Sequence, residues 1–383
     1  MAREIVLDEI EKRSGSINFY LRINERPFVL RYRFDMFGGE NIDVSKIEER
    51  FDPIVIIFMY FALTLEYDFR SNYPIAPELY YRLTQQFVPQ MRKVAGSSPL
   101  DKLTPRMARH DVKIFAPFEE VKTPGNWIGT GLSCGIDSLL SIYEYSQLCK
   151  IPGRQLTHLV CMKTGAHHGN KPFNLARQDR LFHAELERAR RFAKSAKLPL
   201  LAIDTNLAEV LHDAFFIAGY AINHTFRTLG TITLLQNYFS LYYFGDTHGL
   251  DHFSVNVNYD CSTYERWFIP LIASKNLNFY LADGRGGGRF EKTKLLTDYP
   301  LSYDALHVCW YSEKNCGKCA KCMRTLVALD MLGALDKYKN AFDIETYKKN
   351  RIRIIKNVIR LRHKDSFFNE LYEHMSDDMK KLS

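Results

Sequence analysis

Between Trp127 and Leu140 the chain carries residues able to hold a phosphate group. The run reads Trp127-Ile128-Gly129-Thr130-Gly131-Leu132-Ser133-Cys134-Gly135-Ile136-Asp137-Ser138-Leu139-Leu140. An apolar stretch stops at a loop of small residues, and an amphipathic helical pattern begins at once. A helix N-terminus leaves its first N–H groups unpaired and carries a partial positive charge, so it attracts phosphate. Gly135 lets backbone approach an anion with no Cβ in the way. Ser133 and Ser138 offer hydroxyls to phosphate oxygens. Asp137 would repel bare phosphate, so it suits a magnesium ligand or a first-turn cap. The plain alternative is an ordinary capped helix after a strand, because Ser and Asp are favoured caps anyway. Cys134 puts a side chain into the loop. It is expected to narrow the anion cradle and to make a positive φ less comfortable. Near a helix N-terminus its thiol could also be reactive.

Four of the eight cysteines lie together: Cys309, Cys316, Cys319 and Cys322, spaced Cys-x6-Cys-x2-Cys-x2-Cys. Four thiolates at this spacing suit a closed, tetrahedral, structural Zn2+ site. Gly317 fits a tight metal-binding turn. Lys314, Lys318, Lys321 and Arg324 would offset the negative charge. An iron–sulfur cluster is the competing reading, since Cys-x2-Cys-x2-Cys also serves ferredoxins. Cys134, Cys149, Cys161 and Cys261 are scattered and expected to be reduced. Met1-Ala2-Arg3-Glu4-Ile5 does not read as a secretory leader, so the expected compartment is the cytoplasm.

Rival nucleotide motifs fit worse. Gly129-x-Gly131-x-x-Cys134 lacks the third glycine of a dinucleotide fingerprint, and the next strand ends in Cys161-Met162-Lys163 where an acid would hold a ribose. No Gly-x-x-x-x-Gly-Lys-Ser/Thr occurs. Gly284-Arg285-Gly286-Gly287-Gly288-Arg289 reads as a mobile loop.

Ser133-Cys134-Gly135-Ile136-Asp137-Ser138 is one residue away from Ser-Gly-Gly-x-Asp-Ser, the pyrophosphate-binding signature of the PP-loop ATP pyrophosphatases. The ending Cys309…Cys316-Gly317-Lys318-Cys319-Ala320-Lys321-Cys322-Met323-Arg324 resembles the zinc cluster that closes 7-cyano-7-deazaguanine synthase, one branch of that superfamily. The likeness runs from about Trp127 to about Leu335, and the chain looks like a divergent relative, of the kind found in bacterial anti-phage operons. The resemblance implies an adenine-nucleotide-alpha-hydrolase-like doubly wound parallel sheet. It implies cleavage of ATP to AMP and pyrophosphate, with Mg2+ as cofactor beside the zinc. Ser133, Cys134, Gly135, Ile136, Asp137, Ser138 and Lys163 would bind the nucleotide, and Asp137, Arg289 and Lys292 would serve catalysis. The substrate would be a small-molecule carboxylate such as 7-carboxy-7-deazaguanine, adenylated and then attacked by ammonia or an amine. A protein amine as acceptor and a homodimer stay open. Tyr259-Asp260-Cys261 faintly echoes the synthase's substrate-contacting Tyr-Pro-Asp-Cys. Two other readings stand beside this one: a tRNA-modifying, thiolation-type enzyme using Cys134 and Cys161, and a catalytically silent scaffold, for which Cys134 is the motive.

The elements that must position these residues alternate. Strands are expected at 156–162, 200–204 and 241–246, with helices at 174–197 and 221–238. Strands separated by helices predict an α/β protein with a doubly wound parallel sheet. Ligands then gather where strands end, which makes His167, His168 and Asp246-Thr247-His248 candidates. Arg289 and Lys292 stand near a helix start, suited to neutralising phosphate charge.

The ends carry less chemistry. Alternation of Phe19, Leu21, Ile23 and Phe28, Leu30, Tyr32 around Asn24-Glu25-Arg26 predicts a hairpin. Residues 53–65 read as a buried helix, too short to span a bilayer, and a second helix follows near 77–94. The expected division is an appended N-terminal α+β domain over 1–120, the nucleotide and zinc domain over 121–335, and a basic helical tail over 336–383, with a linker at 95–99. In the tail Ile352, Ile355 and Ile359 recur at helical spacing and are expected to dock. A 383-residue chain that is 46% hydrophobic can bury a sizeable core. Its net charge of +8 allows an anionic partner, and ATP satisfies that without requiring nucleic acid. No membrane span is expected.

Overall fold

The period-two pattern at the start of the chain folds as three antiparallel strands: β1 (Arg3–Arg13), β2 (Ser16–Ile23) and β3 (Arg26–Phe37). Asn24 and Glu25 connect β2 to β3 with φ of 50° and 64°, the two positive φ angles a tight hairpin turn requires. These coordinates are a computed structural model, which describes residues 3–95, 110–168, 173–216, 219–255, 260–282 and 287–382. The proposed linker beyond residue 95, together with Tyr259 and Gly284 to Gly286, lies outside the described residues.

Helix Asp52–Leu65 follows, buried from Asp52 to Leu63. Then come β4 (Tyr67–Ser71), parallel to β1, and the short β5 (Ile114–Phe115), parallel to β4. The second half supplies β6 (Trp127–Gly131), β7 (His158–Met162), β8 (Leu200–Thr205), β9 (Phe239–Gly245) and β10 (Asn278–Ala282). These five are parallel to one another in the order β8-β7-β6-β9-β10. The order reverses between β6 and β9, where adjacent strands send their connections to opposite sides and leave a crevice at their carboxyl ends.

The two halves share one sheet. β3 pairs antiparallel with β8, from Tyr32 opposite Thr205 to Phe37 opposite Leu200, which makes a ten-stranded, mostly parallel sheet. Both faces are covered. Val160, Leu201 and Ile203 point into a layer with helices Asp52–Leu65 and His224–Thr233. Leu159, Cys161, Leu200 and Ala202 point into the opposite layer with helices Ile136–Tyr143, Leu175–Ala196 and Ala320–Met331. Buried on both faces, the central strands β7 and β8 carry apolar residues at nearly every position, which is why they read as runs. The protein is therefore α/β, as expected. The N-terminal region joins the same sheet and the same apolar layer rather than hanging from them.

The basic tail forms helix Ile344–Leu361, docked through Ile354, Ile355, Val358 and Ile359. Ile352, expected to dock, is 56% exposed. The buried stripe runs through Ile344, Tyr347, Ile354, Ile355, Val358 and Ile359, and Ile352 falls outside it. Among the described residues, no helix is long and apolar enough to cross a membrane.

Candidate functional site

The loop after β6 lies at the crevice where the strand order reverses. Helix Ile136–Tyr143 starts with Gly135 as its cap, which makes no side-chain capping bond. Its first N–H groups thus have no intrahelical or side-chain acceptor. Ser133 Oγ sits 3.2 Å from Ser138 Oγ and accepts from Gly135 N–H at 3.3 Å, so both hydroxyls flank that end. β9 closes the other side: a Cβ at Gly245 would lie 3.3 Å from Asp137 Cβ. Ser133, Gly135, Ile136, Asp137 and Ser138 line a cavity of about 530 Å3, a size typical of small-molecule sites.

Cys134 overturns two expectations. Its φ is +59°, and this costs about 1 kcal/mol for a residue with a Cβ. That backbone twist turns the side chain away from the cradle into the apolar layer, where Cys134 is fully buried. The thiol does not line the cavity. Nor is it activated: burial pushes its pKa up to about 12. Cys161, also buried, is raised well above the usual thiol value by burial and by Glu185, whose carboxylate is 3.7 Å away. Neither is a nucleophile at neutral pH.

Asp137 is gripped from across the cavity. Arg289 Nη1 donates to its Oδ2 at 2.7 Å, and Lys292 Nζ stands 3.9 Å from its Oδ1. Lys292 is buried and donates to the Asp246 carbonyl at 2.7 Å, which ties helix Arg289–Leu296 to the end of β9. Asp246 pairs with Arg266 through Oδ2. One carboxylate oxygen here, Asp137 Oδ1, is buried and accepts no hydrogen bond among the described residues, while Asp246 shares a hydrogen bond with the buried Glu265 carboxyl. Buried unsatisfied acceptors are costly, and hard oxygen donors of this kind suit magnesium. The structure thus gathers Asp137, Arg289 and Lys292. Lys163 is not with them: its amine pairs with Asp179 at 2.6 Å and Asp204 at 3.3 Å, outside the cavity lining.

The four clustered cysteines converge. All four Sγ atoms lie within 4.8 Å of one another, and Cys316 Sγ is 3.9 Å from Cys322 Sγ. A tetrahedral ion with Zn–S bonds of about 2.3 Å needs sulfur atoms roughly 3.8 Å apart, so the group fits a metal such as zinc. Gly317 makes the turn at φ +67°. Cys319 caps helix Ala320–Met331 by accepting from Cys322 N–H at 3.5 Å.

The next residues on that helix do more than neutralise thiolates. Lys321 and Arg324 face the cavity. Lys321 Nζ rests 4.2 Å over the Trp310 ring. Burial, then Arg289 and Arg324, bring its pKa down to about 7. Arg324 lies over Phe367 at 4.5 Å and pairs with Asp365 at 3.3 Å. His307 N–H donates to the Cys134 carbonyl at 2.8 Å, which fastens the loop to the segment entering the cysteine group.

The far walls carry Glu185 and Arg188 along with His167 and His248. Glu185 is paired with His167 at 3.4 Å, and burial raises its pKa to about 8. Burial lowers His167 to about 4, and His248 to about 4. Arg188 bonds His307 at 3.3 Å. Nothing in the charged pattern of helix Leu175–Ala196 marks Glu185 and Arg188 as inward-facing. Of the two histidines considered after β7, His167 lines the cavity, and the side chain of His168 lies outside the described residues. At the mouth between β9 and helix His224–Thr233, His224 Nε2 is 3.0 Å from Asp260 Oδ1. Burial alone would lower the His224 pKa, but Cys261 and Asp260 beside it hold the imidazole well above its ordinary value.

Compared with protein-family models, with curated proteins and with solved structures, the chain matches none.

Proposed function

We propose that the protein is an ATP-dependent adenylating enzyme of the PP-loop type, resembling 7-cyano-7-deazaguanine synthase. It would activate a small carboxylate for attack by ammonia or an amine. One observation carries the reading most: an uncapped helix N-terminus at the sheet's reversal point opens into a cavity also lined by Arg289, Lys321 and Arg324, with Lys292 buried behind Asp137.

In this scheme the N–H groups at Gly135 to Ser138 and the two serine hydroxyls hold the β- and γ-phosphates of ATP. A substrate carboxylate oxygen attacks the α-phosphorus, the bond to the bridging oxygen breaks, and pyrophosphate leaves with the electron pair. The amine then attacks the acyl carbon, and AMP departs. Such catalysis is positioning plus charge stabilisation, with no nucleophilic side chain needed. Arg289 and Lys292 offset charge building on the leaving group, each charged hydrogen bond contributing about 1.5–3 kcal/mol. Asp137, with Asp246 behind it, would hold magnesium, which when bound screens the phosphates from one another. The cysteine group would hold zinc structurally and fix the helix that carries Lys321 and Arg324.

The thiolation reading needs accessible sulfur, and Cys134 and Cys161 are both buried with raised pKa values. The silent-scaffold reading loses its motive, because the Cys134 side chain leaves the cradle open. Pyrophosphate release across a panel of carboxylates tests the proposal. Release should require one of them, and Asp137→Ala should slow it by about 10²-fold or more. Release that needs no carboxylate, or that survives the substitution, would count against the scheme.

A further inference from the structure

Among the described residues, a second group has metal-ligand chemistry. His224, Asp260 and Cys261 each offer one donor atom, and the three atoms lie within 4.8 Å of one another. His224 opens helix His224–Thr233, and Asp260 and Cys261 open a short helical turn at Cys261–Thr263, so two ordered elements meet at the group. His224 and Asp260 line the cavity, while Cys261 is fully buried behind them.

Each donor is held by its neighbours. Asp260 Oδ1 accepts from Ser262 N–H at 3.0 Å and Ser262 Oγ at 2.7 Å. Thr225 Oγ1 is 3.3 Å from Cys261 Sγ and donates to Glu265 Oε2 at 3.0 Å. The imidazole of His224 stacks on Tyr220 at 5.4 Å. Outer partners of this kind orient the ligands of protein metal sites. His224 Nε2 lies 3.0 Å from Asp260 Oδ1, so the nitrogen and oxygen donors already face one another.

We propose that His224, Asp260 and Cys261 bind a second zinc ion, distinct from that of the four-cysteine group. One nitrogen, one oxygen and one sulfur are ligands zinc accepts, and three protein ligands leave a fourth position. That position faces the cavity, where water or a substrate heteroatom can occupy it. The four-cysteine group has no such opening. The proposal stands apart from the adenylation reading, and its test does not use catalysis.

Metal content after zinc saturation and exhaustive dialysis decides it. The wild-type chain should retain two zinc ions, and Cys261→Ser and His224→Gln one each. Cobalt substitution should lose part of its thiolate charge-transfer absorption in Cys261→Ser. If Cys261→Ser fails to fold, Asp260→Asn, which keeps the side chain's shape, should show the same fall from two to one. One zinc in the wild type, or two in the folded variants, would overturn the proposal and leave a plain hydrogen-bonded cluster.

Discussion

Lys321 is the residue at which the cavity should respond most to pH. Its amine, depressed to about 7, is charged below that pH and loses its proton as pH rises. A polyphosphate prefers the charged form. Pyrophosphate affinity should therefore fall several-fold between pH 6 and 8, since one pKa unit corresponds to about 1.4 kcal/mol. Lys321→Arg should flatten that dependence because guanidinium stays protonated. Titration calorimetry at both pH values checks this, and an equally steep fall in the variant would exclude Lys321 as the cause. The small-residue loop after β6 was legible because small residues stand where an apolar run gives way to helical periodicity. The direction of Cys134 was not. The sequence suggests a positive φ there but not the face its Cβ then takes, which depends on the layer formed by Leu159, Leu200 and Phe182. Lys163 misled for a similar reason: Asp179 and Asp204 reach it from two other elements.

At the scale of elements, helix Ala320–Met331 links the four-cysteine group to the cavity. It begins at Cys319 and delivers Lys321 and Arg324 within its first turns. Metal binding here should stabilise the fold and organise the cavity wall together, because a site absent from the unfolded chain adds its binding energy to folding. Cys319→Ser, or a strong chelator, should lower the melting temperature and weaken pyrophosphate binding in parallel. Unchanged affinity with the metal gone would separate the two. Cysteine spacing announced this group plainly. β10 went unrecognised because Asn278–Ala282 is short and shows a polar residue at its start. What makes it a strand is pairing with β9, from Asn278 opposite Leu241 to Ala282 opposite Gly245, a partner distant in sequence.

Across the whole molecule, the first 95 residues are part of the scaffold that presents the site. Helix Asp52–Leu65 packs directly on helix His224–Thr233. A Cβ on Gly230 would come within 2.4 Å of Ile57 Cγ1 and 3.0 Å of the Pro53 carbonyl. Gly230→Val should therefore cost about 1–3 kcal/mol by overpacking, read as a lower denaturant midpoint in a single cooperative transition. Two separate transitions would show instead that the N-terminal region folds as its own unit. Local alternation made its hairpin legible. Its union with β8 was not, because antiparallel pairing between residues 32–37 and 200–205 leaves no mark at short range.

In the proposed reaction, the turn between β6 and its helix grips the phosphates ATP discards. A crystal structure with a non-hydrolysable ATP analogue and magnesium tests it most directly. The β- and γ-phosphates should sit on the N–H groups of Gly135 to Ser138, with Asp137 on the metal and Arg289 drawn from Asp137 toward the phosphates. Nucleotide bound elsewhere, with that helix end empty, would contradict the account.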